Sequence, residues 1–101
     1  MGITIGNHSF DGPFTSTSQL RAQSGVYAIL GRGAAGGNWI VLDIGESGDV
    51  RSRVETHDRK LQWQNCGHTS LSVAALYCDA TTRTAVEQTL RLHYKPMCGV
   101  R

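Results

Sequence analysis

Three short apolar runs rich in β-branched and aromatic residues, and two stretches of apolar residues at helical spacing, organise the chain. Val26-Tyr27-Ala28-Ile29-Leu30 ends at Gly31 and reads as a strand. The glycine-rich residues 31–38 break that pattern and predict a flexible hairpin loop. Trp39-Ile40-Val41-Leu42-Asp43-Ile44 is the second strand, and a period of two puts Ile40, Leu42 and Ile44 on one face with Val41 and Asp43 on the other. Ser47-Gly48-Asp49 supplies helix-start residues for a helix over 50–61, in which Val50, Val54 and Leu61 recur at helical spacing. Arg53 and His57, four apart, fall at the edge of that stripe. Residues 71–77 predict a third strand. A last helix starts at Thr81 or Thr82 and runs to Tyr94, with Val86, Leu90 and Tyr94 as its buried stripe and Pro96 as its stop. The order is β-β-α-β-α, an α+β domain over residues 25–101. Residues 1–24, rich in Gly, Ser, Thr and Asn and carrying the turn signal Gly12-Pro13, predict an N-terminal arm or short strand packed on that domain, with one helical turn at 18–21.

Length and composition narrow the reading. A chain of 101 residues holds one modest core and no second domain. The longest apolar run, Ile40-Val41-Leu42, is far too short to cross a bilayer. The first eight residues lack the basic start and apolar stretch of a secretion signal, which predicts a cytoplasmic address. Cys66, Cys78 and Cys98 form an odd set that fits free thiols in a reducing compartment. Cys66, His68 and Cys98 also raise a zinc reading, but there is no Cys-x-x-Cys pair and the spacing matches no common zinc module. The net charge of +2 falls short of the clustered basic excess of a dedicated nucleic-acid binder, so charge alone decides nothing.

The chemistry-bearing residues are more specific. Tyr27, Arg53, His57, Asp43 and Glu87 supply a phenol, a guanidinium, an imidazole and two carboxylates, an inventory suited to phosphodiester chemistry. Arg53 carries a planar, permanent charge that matches phosphate oxygens and the charge developing at phosphorus; its bland reading is a solvated helix arginine paired with Asp49. His57 titrates near neutrality and suits a phosphate hydrogen bond or a proton relay, or else a helix-end position favoured by the dipole. Tyr27 alone is a strand aromatic. Glu87 lies inside the last helix with Arg83 and Arg91 four residues to either side. Trp39, Trp63, Arg32, Arg51, Arg59 and Lys60 offer stacking and phosphate contacts, and equally read as core aromatics and scattered surface charge.

The joint spacing of these residues resembles the GIY-YIG nuclease domain. Gly25-Val26-Tyr27 matches the first motif, and sixteen residues after Tyr27 comes Asp43-Ile44-Gly45 at the place of the second. Arg53 and His57 follow ten and fourteen residues after Asp43, and Pro96 lies nine after Glu87, as in the family. The resemblance covers residues 25–98 and implies a small three-stranded antiparallel sheet flanked by helices. It also implies Tyr27 as the group that activates water, Arg53 as the phosphate stabiliser, His57 as a helper, and Glu87 as the single protein ligand of one divalent cation, Mg²⁺ or Mn²⁺. Asp43 stands where the family has a tyrosine, and the asparagine after the terminal proline is missing near Gly99.

Asp43 then joins the metal shell, weakens catalysis, or pairs with Arg53, which would leave an inert scaffold. The expected activity is metal-dependent endonucleolytic hydrolysis of DNA, by a domain that works alone, as a homodimer or in a larger assembly. The alternative is a catalytically impaired GIY-YIG-like domain that binds nucleic acid or a protein.

Overall fold

The computed structural model describes residues 2–33, 36–56 and 70–94. Five strands form one antiparallel sheet: β1 (Gly2–Ile5), β2 (His8–Phe14), β3 (Gly25–Gly33), β4 (Gly36–Ser47) and β5 (Ser70–Tyr77), in the spatial order β1-β2-β5-β3-β4. Two helices accompany them, α1 (Val50–Glu55) and α2 (Ala80–Tyr94). This corrects the three-stranded sheet flanked by helices: the described structure is mostly sheet, and the N-terminal residues, expected as an arm or one short strand, build two of its strands.

The N-terminal hairpin turns at Gly6-Asn7, between the paired Ile5 and His8. Gly6 has a φ of 63°, and a Cβ there would lie 2.8 Å from Leu90 Cδ2. The signal is present in the sequence, since a Gly-Asn pair between two strands marks a two-residue hairpin. It is easily overlooked because Ile5 and Phe10 are the only fully buried large side chains of the hairpin. β2 joins β5 through Asp11 opposite Ala75 and Phe14 opposite Val73, so one extra residue bulges out of β2. Gly12, with a φ of 118° and 3.0 Å from its virtual Cβ to the Val73 carbonyl oxygen, occupies that bulge, where a side chain would be strained and crowded.

Each face of the sheet carries a core. Tyr27, Ile29, Leu42 and Val73 pack under Val50 and Val54 of α1, whereas Val26, Ala28, Leu30, Ile44, Ile5 and Phe10 pack under Val86 and Leu90 of α2. Tyr94 closes the second core from the helix end, its hydroxyl accepting the Gly6 N–H at 2.7 Å.

Two expectations fail at β4. Most of the predicted 31–38 loop is strand, because β3 continues to Gly33 and β4 begins at Gly36. The strict two-residue period also breaks: Ile29 opposes Asp43 and Leu30 opposes Val41, leaving Leu42 as an extra residue. Leu42 and Ile44 therefore pack into opposite cores, Val41 joins the α2 side, and Ile40 is 45% exposed.

Asp49 caps α1 by accepting the Ser52 N–H at 3.0 Å, and the predicted turn near 18–21 is a 3₁₀ turn over Thr17–Gln19 capped by Ser16. Only the first half of the helix predicted over 50–61 falls within the described residues; His57, Arg59, Lys60, Leu61, Trp63, Cys66, His68, Pro96, Cys98 and Gly99 lie outside them. No described helix is long and apolar enough to cross a membrane.

Asp79 precedes α2 and accepts the Thr82 N–H at 2.8 Å. Hydrogen bonding from the Thr82 backbone, and then from its side chain, holds the Asp79 carboxyl below its ordinary pKa, against a smaller effect of burial. A depressed folded-state pKa contributes stability above the unfolded value that is lost as pH falls through the folded one. Asp79→Asn, which keeps an acceptor but cannot titrate, is expected to flatten the acid limb of the stability curve. Urea midpoints from neutrality to about pH 3 test this; limbs of equal slope refute it.

Candidate functional site

Tyr27 is 1% exposed and sits in the middle of the sheet, opposite Gly45 on β4 and Ala75 on β5. Its ring lies across Gly45: a Cβ built on that glycine would land on the Tyr27 hydroxyl and Cζ. Gly25, opening the first motif, is equally confined, because a Cβ there would run into the Leu76 carbonyl oxygen. Packing alone thus requires a small residue at Gly25 and at Gly45.

Asp43 is 0% exposed. Its Oδ1 accepts the Ile44 N–H at 2.8 Å and Arg91 Nη1 at 3.1 Å, and the same Arg91 nitrogen donates to the Ile44 carbonyl. The bulge at Leu42 presents the acid, and α2 brings the arginine across the end of the sheet. Sequence reasoning looked for Arg53 or Glu87 as the Asp43 partner and missed Arg91. The signal was the 83, 87, 91 series, which stacks three ionisable residues on one stripe of α2.

The same stripe organises the rest of the contact between α2 and β4. Arg83 Nε lies 2.6 Å from Glu46 Oε1, and its Nη1 donates to Ser24 Oγ at 2.7 Å. Glu46 is therefore paired; at 22% and 32% side-chain exposure such a pair contributes at most about 1 kcal/mol. Glu87, 6% exposed, sits between the two arginines in sequence and shares with Gln88, Arg91 and Leu92 the lining of a cavity of about 380 Å³.

The implied divalent cation can be tested against these side chains. The positive charge that the Asp43 carboxylate needs is supplied by Arg91, one helical turn from Glu87, and a fixed guanidinium there opposes a second cation. Among the described residues no three His, Cys, Asp or Glu side chains converge on a common point. Asp43 fits an arginine better than it fits a metal.

Arg53 is exposed in the last turn of α1. Arg51, also exposed, lies 3.8 Å from Glu55, which accepts the Thr17 hydroxyl at 3.0 Å. Arg21, not singled out from the sequence, reaches the same side of the sheet: its N–H donates to the Tyr77 hydroxyl at 2.9 Å and its guanidinium lies 5.5 Å over the Tyr77 ring. The neighbouring Gln23 carbonyl accepts the first N–H of α1. Arg32 belongs elsewhere, 4.2 Å over Trp39, which packs against the α2-side core. Cys78 is a free thiol, pushed up in pKa first by burial and then by the Asp79 charge, against a smaller opposing effect of Arg83.

Tyr27 thus lies in the α1-side core, Asp43 is held by Arg91, Glu87 is on α2, and Arg53 is exposed on α1. No family model, curated protein or solved structure matches the chain.

Proposed function

We propose that this domain is a GIY-YIG-like scaffold that binds nucleic acid and no longer hydrolyses it. One observation carries the reading: at the place of the family's second tyrosine, Asp43 is wholly buried and held by Arg91. An acid committed to an internal ion pair neither orients water nor ligates a cation. Tyr27, 1% exposed beneath α1, is likewise walled off from a phosphodiester in solution. Nucleic acid is favoured as the partner by the side chains around α1, where Arg21, Arg51 and Arg53 are all exposed. Guanidinium groups on a solvent-facing surface are suited to phosphate oxygens.

Two measurements on the same preparation test this. Supercoiled plasmid with Mg²⁺ or Mn²⁺ is expected to remain intact. A fluorescent duplex is expected to bind with an affinity that falls with salt, and Arg51→Ala or Arg53→Ala should each lower the slope of log K against log salt by about 0.9. Metal-dependent nicking that disappears in Arg53→Ala and Glu87→Ala would overturn the proposal in favour of a metal-dependent endonuclease. Absence of salt-dependent binding would remove nucleic acid as the partner.

A further inference from the structure

Arg83 and Arg91 are committed to Glu46 and Asp43, and Arg51 lies 3.8 Å from Glu55. Arg21 is held differently. It is exposed, its guanidinium lies 5.5 Å over the Tyr77 ring, and among the described residues no carboxylate pairs with it. A ring face attracts a guanidinium without occupying its N–H fork as an ion pair does. The backbone beneath it is equally fixed. The Arg21 N–H donates to the Tyr77 hydroxyl at 2.9 Å, and Leu20 before it is buried. On one side Thr17 donates to Glu55 of α1; on the other the Gln23 and Ser24 carbonyls accept the N–H groups of Val50 and Cys78, both at 3.0 Å. Gly25, paired with Ser47 and with Tyr77, brings the start of α1 and the end of β5 to the same end of the sheet. Arg32, stacked over Trp39, is at the other end of β3.

We infer that Arg21 is the principal phosphate anchor of the α1 face and that Tyr77 is its positioning residue, an inference that rests on the nucleic-acid reading above. Arg51 must share or release Glu55 to take a phosphate oxygen, which offsets part of what it gains. Arg21 releases no acid. Its backbone is tied on both sides and its side chain is laid on an aromatic ring, so less freedom is lost when a phosphate arrives. A planar fork presented in this way takes phosphate oxygens two at a time. Contacts of this kind fix register on the sugar-phosphate backbone and carry no base information, so the affinity is similar across sequences.

Titration of a fluorescent DNA duplex across a salt series tests this. Arg21→Ala should weaken binding about tenfold at low salt and lower the slope of log K against log salt by about 0.9, whereas Arg51→Ala should weaken it only about threefold. Arg21→Lys keeps the charge without the fork, so it should restore the slope but not the full affinity. Tyr77→Phe keeps the ring and removes the hydroxyl that accepts the Arg21 N–H; it should weaken binding about threefold with the slope unchanged, and have no effect in the Arg21→Ala background. Equal loss from Tyr77→Phe in both backgrounds overturns the positioning role. If the parent binds with salt dependence and Arg21→Ala costs no more than Arg51→Ala, the anchor is refuted and the nucleic-acid reading stands. A parent without salt-dependent binding overturns both.

Discussion

Replacing Arg91 with leucine is expected to destabilise the domain by about 3 kcal/mol, one of the largest single-residue effects in the chain. The size follows from burial. The Asp43 carboxylate is 0% exposed and the Arg91 side chain 13%, so removing the guanidinium strands a desolvated charge, although the Ile44 N–H still donates to it. The pair itself need not contribute that much, because desolvating both ions offsets much of their attraction. A double-mutant cycle separates the two quantities. In the Asp43→Asn background the acceptor for Ile44 remains but the charge is gone, and Arg91→Leu should then cost about 1 kcal/mol or less. Urea denaturation of the four proteins gives the coupling energy; a value below about 0.5 kcal/mol would show that the pair does not hold α2 to β4. The outcome also bears on function, since an Asp43 whose neutral replacement is tolerated only when Arg91 is removed as well belongs to the structure, not to a reaction.

Gly45→Ala should cost about 3 kcal/mol through overpacking. The added methyl would land on the Tyr27 ring, which is 1% exposed between β4 and β5 and has no direction in which to yield without moving the sheet or α1. Making room from the other side should restore part of the loss: in the Tyr27→Val background, already weakened by its cavity, Gly45→Ala should be nearly neutral or mildly stabilising. Thermal or urea unfolding of the same four-protein set reads the coupling. If Gly45→Ala is within about 0.5 kcal/mol of the parent, the ring does not occupy the space over the glycine. A positive result gives both motif positions a packing explanation that requires no chemistry of either.

How much of this was legible before the structure differs from element to element. β3, β5 and α2 follow from local patterns: an apolar run closed by glycine, another bounded by polar residues, and a helical stripe ending in Tyr94. The Asp49 cap was equally readable, because a cap depends on residues three apart. The N-terminal hairpin was marked only by Gly6-Asn7, and nothing local assigns β2 to the edge of β5. The face assignment on β4 failed because a bulge is decided by which residues the neighbouring strand presents. With the extra residue at Leu42, a strand expected to present one apolar face delivers Leu42 and Ile44 to opposite cores.

The candidate site divides in the same way. From the sequence alone came the identity and spacing of Tyr27, Asp43, Arg53 and Glu87, and the recognition that a carboxylate in place of a tyrosine was the decisive substitution. Spacing along a chain sets which residues share a strand or a helix turn, and that is as far as it reaches. Only the tertiary structure decided that Arg91, 48 residues away, is held against Asp43, and that Tyr27 lies sealed against a glycine on the next strand. Both are contacts between distant segments, fixed by how a bulged edge strand and a helix pack together, and no local periodicity encodes them.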